Sequence, residues 1–244
     1  MLKFIIYKYL NCLEYLLFFK KFENFLQKAS IENQKNLIKN HKEGFEDLKE
    51  FVNNNFQLKN FKEKFFFDLT LKTQTVLKDQ KLSFIHGYLL QHELRKYLIL
   101  NNSEKNINIL EIGTARGYSS ICMADVLEEL NTNGKILSLD ILPINKKIFW
   151  NCIDDINYGK QTRYELLKTW EYLINKYVIF INGYTRIVLR KLYFPRINFC
   201  FIDGSHDYDD VKYEIQYITK RQRKNDVIFF DDYNIKKFPG VVKI

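Results

Sequence analysis

Residues 109–120 read Ile-Leu-Glu-Ile-Gly-Thr-Ala-Arg-Gly-Tyr-Ser-Ser, and they give the most specific indication of fold class in the chain. A short apolar run that ends in glycine before a helical pattern is typical of a buried strand turning sharply into a helix. Gly113 permits the turn, and Gly117 permits close approach of a ligand to the backbone where the helix begins. The dinucleotide pattern GxGxxG is excluded, because Ala115 stands where a pyrophosphate requires the second glycine.

The chain on both sides of this loop alternates between short apolar runs and helical stretches. Strands are predicted at residues 108–112, 135–139, 177–182, 197–202 and 226–230. Strands separated by helices indicate an α/β protein with a Rossmann-like, doubly wound, mainly parallel sheet. Residues 1–100 have a helical pattern throughout. We therefore divide the chain into an N-terminal helical region, 1–100, as a cap or oligomerisation element, and a ligand-binding domain, 101–244.

The charge of the chain is +9, from 38 Lys and Arg against 29 Asp and Glu. Lys and Glu interleave through residues 20–64 and no run of five basic residues occurs. These observations disfavour a nucleic-acid partner and favour compositional drift as the source of the charge.

The N-terminal segment 1–19 is apolar but interrupted by polar residues, so no transmembrane segment is expected. Its polar residues recur at helical spacing, which leaves packing on the protein, a homo-oligomer contact or a membrane-surface helix open. No signal-peptide cleavage site follows. The four cysteines form no CxxC pair and are typical of reduced thiols, so a cytoplasmic location is expected.

Asp140 ends the second predicted strand. An acid at that position can accept both hydroxyls of a ribose, whereas the alternative is a strand-end Asp that caps the following turn. Given the glycine loop, we favour ribose binding.

Residues 111–124 resemble motif I of the catechol O-methyltransferase-like enzymes, which are class I S-adenosylmethionine-dependent methyltransferases. The resemblance implies that Glu111 supports the loop or contacts the cofactor amino group. It also implies that the methionine part of the cofactor is lined by Gly113, Thr114, Ala115, Arg116, Gly117, Tyr118 and Ser119. Ile141, Gly183, Tyr184 and Asp203 complete the expected cofactor site.

Two further stretches place carboxylates just past a strand. Residues 201–208 read Phe-Ile-Asp-Gly-Ser-His-Asp-Tyr, and residues 227–233 read Val-Ile-Phe-Phe-Asp-Asp-Tyr. Adjacent strands would bring Asp203 near Asp231 and Asp232, and three carboxylates suit a hard cation such as Mg²⁺. His206 and Asp203 are the candidate catalytic residues, with His206 as the base. The alternatives are that Asp203 and His206 cap the next helix and that the Asp pair is an unliganded turn.

Over residues 80–244 this pattern resembles a branch with macrolide-sugar O-methyltransferases and cephalosporin-hydroxylase-like proteins. In that branch acids at 203, 231 and 232 hold magnesium and the histidine is the base. The resemblance implies Mg-assisted methyl transfer to a hydroxyl of a small molecule or sugar, with a hydroxylase-like or non-catalytic cofactor-binding protein as alternatives. The family fold continues beyond residue 244, so a C-terminally shortened sheet is expected. Acceptor contacts are expected from the N-terminal region and residues 142–176, which include Trp150, Asp154, Asp155, Arg163 and Trp170.

Overall fold

A computed structural model describes residues 31–56, 61–76, 82–234, 236–237 and 239–243. The predicted amphipathic segment 1–19 lies outside these residues. Within the described residues, no helix is long and apolar enough to cross a membrane.

The centre of the fold is a five-stranded sheet in which every neighbouring pair of strands is parallel. Ile109 of the first strand pairs with Ile136 on one side and Phe199 on the other. The strand order is β3-β2-β1-β4-β5. The strands are β1 (Ile107–Ile112), β2 (Gly134–Asp140), β3 (Val178–Asn182), β4 (Phe199–Ile202) and β5 (Val227–Phe230).

Helices precede the sheet and connect its strands. Among the described residues, three helices come before β1, namely α1 (Ile31–Asn55), α2 (Glu63–Thr73) and α3 (Ile85–Leu100). The connecting and following helices are α4 (Tyr118–Glu129), α5 (Asp154–Tyr158), α6 (Arg163–Leu166), α7 (Glu171–Tyr177), α8 (Thr185–Leu189), α9 (Tyr208–Thr219) and α10 (Pro239–Val242).

The central strands β1 and β4 are buried on both faces, because alternate side chains of a strand enter different cores. Ile107 and Ile109 of β1 belong to a core shared with α1–α4 and α7. Leu110 and Ile112 belong to a second core, shared with α8 and α9. Helices on both faces of a parallel sheet are the predicted doubly wound α/β class, which is therefore confirmed.

The N-terminal helices continue the first core. Phe66 of α2 and Leu90 of α3 are fully buried within it. Lys62 Nζ lies 2.7 Å from the Asp125 carboxylate of α4, and Arg95 Nε lies 2.9 Å from that of Glu129. The predicted helical region is therefore present and docked on α4, while the boundary near residue 100 and the oligomer contact stay predictions.

At the amino end of the sheet, a buried ion pair ties the strands to α3. Arg196 donates to the Asp226 carboxylate at 2.7 and 3.0 Å, and Tyr97 of α3 donates to the same carboxylate at 2.9 Å. The Asp226 side chain is fully buried. This network lies at the amino ends of the strands, opposite to the carboxyl ends that carry the predicted functional residues.

Candidate active site

The glycine loop lies where the sheet order reverses. The chain leaves β1 for β2 on one side and later returns to β4 on the other. In sheets of this kind a ligand binds in the crevice at such a reversal point, outside the carboxyl ends of the strands, here β1 and β4. A Cβ atom added to Gly113 would lie 1.9 Å from the Asp203 carbonyl oxygen, and Gly113 has a positive φ of 95°. Position 113 therefore requires glycine, because the backbone that follows β4 leaves no room for a side chain there. The same contact brings the glycine loop directly against Asp203.

Glu111 supports the loop from inside the protein. Its carboxylate is fully buried and accepts hydrogen bonds from the hydroxyls of Ser119, Ser120 and Ser138. Burial raises the pKa of Glu111, and the three serine hydrogen bonds oppose that rise. Of the two roles that the resemblance implies, this geometry favours support of the loop.

The predicted loop side chains are used for internal contacts. Thr114 Oγ1 lies 2.5 Å from Ser138 Oγ, and Ser119 is bonded to Glu111. Arg116 Nε donates to the Trp150 carbonyl at 2.7 Å. Tyr118 Oη donates to the Phe84 carbonyl at 2.7 Å. The backbone of residues 113–117 is thus the part of the loop left to meet a ligand in the crevice.

Asp140 is tied into the loop by two backbone donors. Its Oδ2 accepts from Ala115 N at 2.5 Å and its Oδ1 from Leu142 N at 2.6 Å. A carboxylate offers about four acceptor positions, so lone pairs remain for a ligand. Asp140 therefore caps the turn, as one interpretation of the sequence proposed, and can still accept hydrogen bonds from a ligand, as the other proposed.

Asn182, at the end of β3, was not singled out from the sequence. Its amide donates to the carbonyls of Asp140, Ile141 and Leu142 at 3.2, 2.9 and 2.8 Å. Asn182 therefore fixes the turn that carries Asp140 and Ile141. A polar residue at a strand end is the signal that could have identified it.

The predicted residues after β3 lie beside this turn. Gly183 N donates to the Asp140 carbonyl at 2.8 Å, which brings the end of β3 next to Asp140. Tyr184 Oη donates to the Asp210 carboxylate of α9 at 2.5 Å. Burial, followed by the hydrogen bond to Asp210, raises the pKa of Tyr184. Tyr184 therefore joins β3 to α9 through its hydroxyl.

Residues 142–176 form a wall beside the glycine loop. The side chains of this wall that the sequence suggested as acceptor contacts are buried. The expected acceptor-side residues Trp150, Asp155 and Arg163 are at most 1% exposed. Asp155 accepts from the backbone N–H groups of Trp150 and Cys152 at 2.9 and 3.1 Å. These side chains hold the wall together, and Arg163 reaches the glycine loop instead of an open acceptor surface.

A second group of polar side chains lies at the ends of β4 and β5. Asp203, His206 and Asp232 each offer one ligand atom, and these three atoms lie within 4.8 Å of one another. His206 Nε2 lies 2.9 Å from Asp232 Oδ2. The predicted metal ligand Asp231 is not a member of this group. Its N–H donates to the Ile202 carbonyl at 3.0 Å, which continues the pairing of β5 with β4.

The conformation of the chain explains which aspartate joins the group. Asp232 has a positive φ of 53°, so the chain leaves the extended conformation directly after β5. The following helix α9 is capped by Asp207, whose side chain accepts from Asp209 N at 3.0 Å. Since Asp207 serves as the cap, the alternative in which Asp203 and His206 cap this helix loses its support.

The sheet order, the glycine loop at the reversal point and an acid at the end of β2 together define the class I S-adenosylmethionine-dependent methyltransferase fold. A family model described as a methyltransferase domain matches residues 110–233. The chain belongs to this methyltransferase family, and the predicted enzyme class is confirmed.

Solved structures support the same fold. An O-methyltransferase from Bacillus cereus, in complex with SAH, matches with 18% identity and a TM-score of 0.50, covering 80% of this chain and 81% of that one. The O-methyltransferase NovP matches with 14% identity and a TM-score of 0.50, covering 67% of this chain and 70% of that one. No curated protein sequence shows significant similarity to the chain.

Proposed function

We propose that the protein is an S-adenosylmethionine-dependent O-methyltransferase that uses a divalent cation, Mg²⁺, to methylate a hydroxyl of a small molecule or sugar. The observation that carries this proposal is the contact between the two halves of the site. The glycine loop touches the backbone of Asp203, and Asp203 belongs to the group with His206 and Asp232. A cofactor on the loop would therefore lie beside a base and two carboxylates.

The cofactor site is proposed to consist of backbone and one carboxylate. The loop backbone at 113–117 would bind the methionine part, and Asp140 would accept the ribose hydroxyls on its remaining lone pairs. Ile141, Gly183 and Tyr184 would border the ribose and adenine. S-adenosylmethionine supplies a methyl group activated on its sulfonium.

The residues at the ends of β4 and β5 fit a cation. Carboxylate oxygens are the ligands that Mg²⁺ prefers, and one oxygen each of Asp203 and Asp232 lies within 4.8 Å of the other and of a ring nitrogen of His206. These two acids would hold the ion, with Asp231 adjacent in sequence. A bound divalent cation acidifies a hydroxyl placed next to it.

His206 is proposed as the base. Its imidazole would take the proton of the acceptor hydroxyl while the oxygen forms its bond to the methyl carbon and the carbon–sulfur bond breaks. Asp232, 2.9 Å from Nε2, orients the ring and stabilises the imidazolium that results. The enzyme otherwise supplies alignment of the reacting groups and electrostatic stabilisation.

The first test separates binding from turnover. Calorimetry of the full chain with S-adenosylmethionine should show binding, and Asp140→Ala should weaken it by about tenfold or more, the loss expected for hydrogen bonds to a charged group. Asp68→Ala, an exposed acid on α2, is the matched control and should bind normally. A folded wild-type protein without measurable binding would overturn the proposal.

The second test concerns the reaction. Transfer of a labelled methyl group to a panel of sugars and phenols should require Mg²⁺ and stop in excess chelator. His206→Ala should lower the rate by about 10²-fold or more and leave cofactor binding unchanged. His92→Ala is the control and should behave as wild type, because His92 is a partly exposed histidine of α3. Full turnover in chelator would remove the cation from the proposal, and full turnover by His206→Ala would remove the base. Binding without transfer to any acceptor would favour a non-catalytic cofactor-binding protein.

A further inference from the structure

Two arginine side chains connect the glycine loop with the wall formed by residues 142–176. Each arginine donates to a backbone carbonyl of the other segment. Arg116 of the loop donates to the Trp150 carbonyl of the wall at 2.7 Å. In the opposite direction, Arg163 of the wall donates from Nε to the Ala115 carbonyl of the loop at 3.1 Å. The N–H of Ala115 donates to Asp140 at 2.5 Å, so both backbone polar groups of Ala115 are hydrogen-bonded.

Arg163 is buried to an unusual degree for a charged residue. Its side chain is 0% exposed, and its guanidinium lies 5.5 Å from the Trp150 ring centre and 5.3 Å from that of Phe180. Nη1 and Nη2 have no hydrogen-bond partner among the residues that the structure describes. A buried cation with unpaired donors is costly, so such an arrangement is usually compensated by a nearby anion.

The compensating anion is Asp140. Arg163 Nη2 lies 3.9 Å from Asp140 Oδ1, and the Asp140 side chain is only 8% exposed. At that distance the two groups form an ion pair without a direct hydrogen bond, so the carboxylate keeps its lone pairs. Electrostatic attraction across so short a gap is strong where water is largely excluded.

We propose that Arg163 is the positioning residue of the cofactor site, holding the Asp140 carboxylate and the Ala115 peptide in the geometry that receives the ribose. This inference rests on the proposed function, because it assumes a ribose-bearing ligand at Asp140. Arg163 acts through Asp140 and through the Ala115 carbonyl, and the ring faces of Trp150 and Phe180 keep its guanidinium in place. Lysine cannot reproduce this arrangement, since it lacks the planar fork that stacks and donates at the same time.

The test compares two ligands that differ only at the ribose, S-adenosylhomocysteine and its 2′-deoxy analogue. The wild-type protein should prefer the hydroxylated ligand by about tenfold or more, as expected for a hydroxyl that donates to a carboxylate. Arg163→Gln should reduce this preference at least about threefold. A purely structural role would weaken both ligands equally and leave their ratio unchanged.

Two further variants keep the result decisive. Arg163→Lys retains the charge and most of the packing, so it serves if Arg163→Gln does not fold, and it should also show a reduced ratio. In an Asp140→Ala background the Lys substitution should leave the ratio unchanged, because the group through which Arg163 acts is absent. Arg223→Gln, an exposed arginine just before β5, is the matched control.

The outcomes separate this inference from the proposed function. Absence of S-adenosylhomocysteine binding by the wild-type protein would refute the proposed function. Binding by the wild type with the same ligand ratio in the Arg163 variants would overturn the positioning role alone. A reduced ratio in the Lys variant that disappears in the Asp140→Ala background supports it.

Discussion

Glu214 offers the clearest quantitative test of the structure. This carboxyl lies on α9 and is 1% exposed. Burial, and then the charge of Asp210, raises the pKa of Glu214 to about 8, while the side chain of Thr185 and the charge of Arg186 oppose the rise. The folded protein therefore keeps a proton on Glu214 at neutral pH. The perturbation is Glu214→Gln, which retains the shape of the neutral acid and has no proton to lose.

The sign and size of the effect follow from proton linkage. An unfolded chain releases the Glu214 proton near pH 4.5, whereas the folded protein holds it up to about pH 8. Between these values the folded state binds more protons, so the free energy of unfolding falls as the pH rises. One unit of pKa shift corresponds to about 1.4 kcal/mol, and the loss between pH 5 and pH 8 is therefore about 4 kcal/mol.

The assay is urea unfolding followed by tryptophan fluorescence at several pH values from 5 to 8.5. Wild type and Glu214→Gln should have similar stability at pH 5, and the variant should be more stable at pH 8 by about 4 kcal/mol. Glu50→Gln, an exposed acid of α1, is the control and should follow the wild type at every pH. Parallel stability curves for wild type and Glu214→Gln would refute the reasoning, because they would show that Glu214 releases its proton equally in both states.

Two further predictions concern the two ends of the sheet. Gly113→Ala should lower the free energy of unfolding by about 3 kcal/mol or more, since its Cβ would clash with the Asp203 carbonyl and its φ is positive. Thermal unfolding of the variant checks this, and a melting temperature equal to that of the wild type would contradict the close contact. Arg196→Met should cost about 3 kcal/mol, because it leaves the Asp226 carboxylate buried without its cation. Urea unfolding measures that loss, and a change below about 0.5 kcal/mol would show that the Asp226 charge is solvated.

The sequence predicted the sheet well because its strands are largely apolar and the central strands β1 and β4 are buried on both faces. Such strands are continuous apolar runs, and each predicted run overlaps an observed strand, as 108–112 does with Ile107–Ile112. Their polar ends then identified the functional edge without any knowledge of side-chain positions.

The local details of the site could not be predicted in the same way. The choice between Asp231 and Asp232 depends on the left-handed conformation of Asp232, which no pattern of residue types specifies. The three serine hydroxyls around Glu111 come from α4 and β2, and they meet only after the sheet has formed. Arg163 likewise has no spacing that connects it to the glycine loop.

The two arginine contacts between the glycine loop and residues 142–176 bear on the order in which the chain folds. Ala115 and Arg163 are separated by 48 positions in the chain, and Arg116 and Trp150 by 34. Contacts between distant positions form late, because the entropy of closing a long chain segment must be overcome first. The turn after β1 is local in sequence, yet its final geometry depends on a remote segment. We therefore expect the glycine loop to reach its final geometry only after residues 150–163 have docked on it, later than the pairing of β1 with β2 and the packing of α4.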